Sequence, residues 1–272
     1  MPIRIHAQQV RTIALLVLVS CFTSVDARSQ YREIPVRTGG SIQGQVRLAD
    51  GSPMPAGLAI TKDDAVCGTR PSLSRLVVGR GRGVENAVVY LKGIDEGKNF
   101  RNRKTATLDQ KGCEFRPHIM VLNQNAPLEI VNNDRVLHNV HAYEFTKSPT
   151  TLFNIAQPIK GQKSRIDASQ FRNAGLVMIT CDAGHPWMSA YIFRVENPYY
   201  AVTDANGHFR IDGVPPGTYT LAMWHEGVGI KRKDLERGSV TKYTFEEPYS
   251  QSQQISVPPR GSVRAEFELK LR

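Results

Sequence analysis

The sequence predicts an all-β protein built from two consecutive β-sandwiches. Three observations carry this expectation. Short runs of β-branched and apolar residues are bounded by Gly, Pro, Asn and Asp, several runs alternate with period two, and no stretch longer than two turns has a convincing helical period. Of the 272 residues, 40% are hydrophobic and 22% charged, which is enough apolar material for one large or two small cores.

The elements follow in order. Arg4 and Arg11 precede an apolar run from Thr12 to Val19, and small residues come after it. Residues 1–27 therefore read as a secretory signal, too short for a membrane-spanning helix. Val25-Asp26-Ala27 offers a cleavage site after residue 27. Leu18-Val19-Ser20-Cys21 offers a competing one that resembles a bacterial lipobox, which would place a lipid on Cys21 and tether the chain to a membrane. A periplasmic or secreted protein is expected, lipid-anchored in the second case. A polar leader, 28–39, follows.

Ile42-Gln-Gly-Gln-Val46-Arg-Leu48 alternates cleanly. Residues 84–91, 119–122, 127–131, 175–180 and 191–195 also read as strands, while 150–172 admits a short helix. A second unit is expected from residue 197 to 272. Residues 200–203 and 208–211 form strands joined by the tight turn Asp204-Ala-Asn206-Gly207, and 218–224 makes a longer strand. The basic, polar stretch 226–250 reads as a long loop before the strands at 254–257 and 263–271.

Formal net charge is +10 at pH 7. Basic clusters at Arg80/Arg82, Arg101/Arg103/Lys104 and Lys231/Arg232/Lys233 could steer an acidic partner or meet anionic lipid. No nucleic-acid-binding motif accompanies them, so no nucleic-acid partner is expected.

Removing the signal leaves Cys67, Cys113 and Cys181. In an oxidising compartment this odd number points to a special role for one cysteine. Cys181 is the candidate, because Cys181-Asp-Ala-Gly-His185-Pro-Trp-Met188 sets a thiolate, an imidazole and a thioether in one loop. A second imidazole, His138, lies in Asn132-Asn-Asp-Arg-Val-Leu-His138-Asn-Val-His141. Two His, one Cys and a weak Met are the ligands of a mononuclear blue-copper site. Cys67 and Cys113 then remain as a disulfide pair, whose closure would contribute about 3–4 kcal/mol through loop entropy. A metal site of Cys67, Cys113 and His118 is the alternative. His141, three residues after His138, would point to the opposite face of a strand, but a bend would let it replace Met188 as a ligand. His118, His208 and His225 read as structural.

On these residues the span 40–196 resembles a cupredoxin domain of the plastocyanin and amicyanin kind, grouped with methylamine utilisation. His138-Asn-Val resembles the upstream histidine motif of that family, and His185-Pro-Trp-Met188 resembles the His-Pro-Phe-Met of amicyanins. The resemblance implies a Greek-key β-sandwich holding one copper per chain. His138, Cys181 and His185 would be equatorial ligands, Met188 the long axial ligand, and Asn139 would tie the two ligand loops together by hydrogen bonds. The spacing departs from plastocyanins and amicyanins in having three residues rather than two between Cys181 and His185. It matches half of the binuclear copper loop of cytochrome oxidase, but Val177 stands where that site needs a further Cys. In the second unit, Ala201-Val-Thr-Asp-Ala-Asn-Gly-His-Phe209 and Pro215-Pro-Gly-Thr-Tyr219 resemble the carboxypeptidase regulatory-like (transthyretin-like) domains, which implies a structural or adhesive module.

The expected function is one-electron transfer by copper, to or from a periplasmic dehydrogenase or cytochrome. A copper enzyme with an open position, a copper store or carrier, and a metal-free cell-surface module are the competing classes. No nucleophile or acid/base pair stands beside the ligand motif, which favours electron transfer over catalysis.

Overall fold

The computed structural model describes residues 31–72, 75–100, 104–172 and 175–271. The expected signal segment with Cys21, and Arg101 and Arg103, lie outside the described residues. Among the described residues no helix is long and apolar enough to cross a membrane.

The protein is all-β, with its sheets packed as two β-sandwiches. One sandwich pairs a five-stranded sheet with a four-stranded sheet. The first runs in the order Thr151–Gln157, His138–Glu144, Leu176–Thr180, Ser189–Val195, Ile119–Asn123, and the second Lys163–Ile166, Leu128–Asn132, Ala106–Gln110, Phe115–Arg116. Strands Ile119–Asn123 and His138–Glu144 share one sheet while Leu128–Asn132, between them in sequence, lies in the other. This over-and-back connection is that of a Greek key. Period-two alternation supplies the core: Val140 and Ala142 point inward from one strand, Val177 and Ile179 from its neighbour.

The other sandwich overturns the expected border at residue 196. Strand Gly40–Leu48 pairs with His208–Val214 on one side and runs parallel to Ser262–Leu269 on the other. Strand Val88–Lys92 lies between Tyr200–Val202 and Gly217–His225, and Tyr249–Val257 completes that sheet. Residues 40–92 therefore belong with 200–269, and the first sandwich, 106–195, is nested between them. The alternation of 42–48 specifies which side chains are buried, but not which distant strands cover them. The expected first domain of 40–196 and second of 197–272 are corrected accordingly.

The region 150–172, whose sequence admits a short helix, holds strands Thr151–Gln157 and Lys163–Ile166 and then one short 3-10 helix, Ala168–Phe171. The stretch 226–250 is not a loop. It forms a hairpin, Ile230–Glu236 with Ser239–Phe245, closed by Arg237 (φ 50°) and Gly238 (φ 83°). Two consecutive positive φ angles define a type I′ turn, whose twist suits a two-residue hairpin.

The sandwiches meet at Val88, Ile119, Tyr191 and Trp224. The Trp224 ring meets Phe193 edge-on at 4.7 Å and Tyr191 at 5.3 Å. Beside this apolar joint lies a buried ion pair, Arg75 Nη2 to Glu226 Oε2 at 2.5 Å.

Candidate metal centre

Strand Leu176–Thr180 carries Val177 and Ile179 inward, and Cys181 takes the next inward position just past its end. The adjacent antiparallel strand begins with His138, also turned inward. The loop after Cys181 then curls back before Ser189, with Gly184 at φ 89° where a side chain would be strained. This curl brings His185 under the end of the sandwich. The Met188 N–H donates to the His185 carbonyl at 3.0 Å, closing a turn that buries both side chains.

The result is a compact triangle. Cys181 Sγ lies 3.6 Å from His185 Nδ1 and 4.0 Å from His138 Nδ1. The two imidazole rings stand edge to face at 4.9 Å, and neither is exposed to solvent. Bonds of about 2.0–2.3 Å to one metal ion would set nitrogen and sulfur ligands about 3.5–3.8 Å apart. The donor spacing thus fits an ion at the centre of the triangle, and the donor types suit copper. Met188 sits in the same buried cluster.

Each donor is oriented from behind. The His138 Nε2–H donates to Asp134 Oδ2 at 2.8 Å, and the His185 Nε2–H donates to Asp63 Oδ2 at 2.9 Å. Both rings are thereby fixed with Nδ1 facing the sulfur, the arrangement that metal-binding imidazoles require. The Asn139 N–H donates to Cys181 Sγ at 3.3 Å, and the Asp182 N–H to Asn139 Oδ1 at the same distance. Asn139 thus connects the strand that begins at His138 to the loop after Cys181.

Burial alone would push the Cys181 thiol up. Hydrogen bonds from His138, His185 and the backbone at Asn139 and Ala183 outweigh it and bring the thiol down to about 6. Burial likewise presses His138 down, but Asp134 and the Cys181 sulfur lift it to about 9. Asp134 is raised by burial, yet the His138 ring and the N–H groups of Cys113 and Gly112 hold it below the usual carboxylate range. The triangle is therefore poised as a thiolate against imidazolium, and a cation can take the place of the protons.

Asp63 and Asp134 were not singled out in the sequence. Asp134 lies in the string that carries His138, but a lone carboxylate in a loop has no local mark. Asp63 is 122 residues from the ring it holds. The Cys67–Cys113 disulfide is present, with Cα atoms 5.0 Å apart across a separation of 46 residues, so the alternative site of Cys67, Cys113 and His118 does not form. Its sulfurs lie within 4.8 Å of a ring nitrogen of His185. His141 lies on the other face of its strand. Its Nδ1 meets Asp182 Oδ2 at 2.5 Å and its Nε2 meets Thr151 Oγ1 at 2.9 Å, away from the triangle. His118 and His225 stand at the joint on Glu226, and His208 lies exposed beside Asp204.

Residues 184–241 match the family described as Polysaccharide lyase family 4, domain II. This differs from the carboxypeptidase regulatory-like family expected for the second unit, and the matched span straddles the joint. No curated protein matches the chain. Among solved structures, a Cu-containing nitrite reductase (NirK) from Thermus scotoductus SA-01 is similar at 20% identity and a TM-score of 0.28. The match covers 35% of this chain and 23% of that one, so the chain spans under a quarter of that enzyme's length. A purple cupredoxin from Nitrosopumilus maritimus is similar at 17% identity and a TM-score of 0.28, over 33% of this chain and 99% of that one.

Proposed function

We propose that this protein is an exported copper protein that carries single electrons. His138, Cys181 and His185 would hold one copper ion per chain, with Met188 as a weaker fourth donor. The observation that carries this reading is the buried triangle of two Nδ1 atoms and one thiolate, at separations of 3.6 and 4.0 Å from the sulfur. Bound there, copper supplies a one-electron couple. The chain supplies a preset cage: Asp63 and Asp134 hold the rings, and the Asn139 N–H is directed at the sulfur. A cage that does not rearrange between oxidation states suits electron transfer.

Closure favours carriage over catalysis. His138 and His185 are 0% exposed, Met188 2% and Cys181 4%, which leaves no open face for a substrate. Export to the periplasm or beyond is supported by the Cys67–Cys113 bridge, since such bonds persist in oxidising compartments. The partner class that fits is a periplasmic dehydrogenase or cytochrome.

Titration of the metal-free protein with Cu(II), followed by visible absorption and EPR, tests the reading. An intense thiolate band should saturate at one copper per chain and vanish in Cys181→Ser. His141→Ala should leave both band and stoichiometry unchanged, because that ring faces Asp182. A weak copper signal that survives Cys181→Ser would overturn the proposal.

A further inference from the structure

We propose that the Cys67–Cys113 disulfide is a positioning element of the copper centre, holding both carboxylates that orient its imidazoles. This rests on the copper reading above and adds control of the centre by a thiol–disulfide couple.

Cys113 reaches the centre along two routes. Its backbone N–H donates to Asp134 Oδ2 at 2.9 Å, and the Gly112 N–H to Asp134 Oδ1 at 2.8 Å. That carboxylate is the one on the His138 ring. The Cys113 carbonyl accepts the Trp187 indole N–H at 3.1 Å, and the Trp187 ring stands edge-on to His185 at 5.2 Å.

Cys67 serves the other imidazole. It ends a four-residue helix, Asp64–Cys67, that buries none of its side chains. Its N–H donates to the Asp63 carbonyl at 2.8 Å, so the residue holding His185 lies one helical turn from the sulfur. The segment is closed at its base by the backbone pair Leu58 and Ser72, bonded in both directions at 2.9 and 2.8 Å. Lys62 reaches the Ala183 carbonyl at 2.7 Å, and Val66 and Cys67 are only partly buried against the core. The disulfide is thus the covalent link between two remote loops, each carrying one orienting carboxylate.

Opening the bridge is a two-electron exchange with a dithiol. The S–S bond breaks, Cys67 and Cys113 each gain a hydrogen, and the dithiol closes to its own disulfide. Asp63 is then freed from its anchor and the hold of Cys113 on Asp134 loosens. Loss of such outer hydrogen bonds typically weakens metal binding by about 10–100-fold, and a change of that order is expected here.

The test compares Cu(II) affinity, by chelator competition, of the oxidised wild type with Cys67→Ser/Cys113→Ser. The pair of serines should bind copper about 10–100-fold more weakly, with altered EPR hyperfine splitting and with Cys181 still required. Asp63→Asn should weaken binding in the bridged protein and add nothing in the serine pair, because the bridge acts through that carboxylate. A merely structural bridge would give additive losses. Should the serine pair fail to fold, Cys67→Ala/Cys113→Val, which opens the bridge without leaving thiols that would themselves bind copper, replaces it in the same competition. Equal or tighter binding after opening, or additive effects, overturns the inference while leaving the copper reading intact. Absence of a Cys181-dependent band in the bridged wild type overturns the copper reading itself.

Discussion

Arg75→Met should lower the unfolding free energy by about 3–5 kcal/mol, the usual cost of stranding one member of a buried ion pair. The Arg75 and Glu226 side chains are 7% and 2% exposed. The guanidinium also donates to Ser189 Oγ at 3.0 Å and to the Gly227 carbonyl at 2.7 Å, and it covers the Phe245 ring at 3.4 Å. It therefore links the strand after the metal loop to the outer sandwich and the hairpin. Urea unfolding at pH 7 should show a lower midpoint with an unchanged slope. Arg75→Met with Glu226→Leu should recover part of the loss, since it removes both charges of the pair although His118 then loses its carboxylate. A single variant as stable as the wild type would refute this account.

The same joint sets an acid limit. Burial pushes Glu226 up, but Arg75 and His118 outweigh it and hold the carboxyl below its ordinary value of 4.5. Burial presses His225 below its ordinary 6.5 despite the nearby Glu226. In both cases the unfolded chain binds protons first as pH falls, so stability drops with falling pH. The His225 contribution is lost below about 6.5 and that of Glu226 below about 4.5. Glu226→Gln should flatten the lower part of that slope, read from midpoints between pH 7 and 4.

Asn132→Ala should cost about 3 kcal/mol, on the basis of about 1 kcal/mol for each of its hydrogen bonds. The fully buried amide donates to the Val136 carbonyl at 3.0 Å and to the Gln157 carbonyl at 2.7 Å. Its oxygen accepts the Asp134 N–H at 2.9 Å. All three bonds shape the loop that delivers Asp134 and His138. Copper affinity should therefore fall together with stability, by about 10-fold on the scale of outer-shell losses. Calorimetric titration and urea melts on the same variant check both. A melt shift with unchanged affinity would show that the loop holds its carboxylate without Asn132.

The parts of this molecule that could be read from the sequence are those whose signal is local. Strand 42–48 and the last strand alternate so regularly that their inward faces are plain. The motif from Cys181 to Met188 compresses three donor types into one loop, and His138 opens a strand, so the triangle could be assembled on paper. The rings' supports could not, because Asp63 and Asp134 meet them only through the tertiary fold. Strand pairing was equally hidden: nothing in Gly40–Leu48 indicates that its parallel partner is Ser262–Leu269. Residues 230–245 escaped for the opposite reason. That hairpin is exposed along most of its length, so it lacks the apolar alternation by which strands are recognised.

The nesting of one sandwich inside the other imposes an order on biosynthesis. A chain growing from its N-terminus releases Gly40–Leu48 early, but both its neighbours are translated only after the inner sandwich is complete. The span between partners adds little to the equilibrium, since each doubling of a loop costs only about 0.6 kcal/mol. Its weight is kinetic, because non-local pairings form late and leave strand edges bare meanwhile. When translation has reached residue 207, every residue of the inner sandwich exists while Gly40–Leu48 still lacks both of its neighbours. The first long strand to be made is the last to be secured.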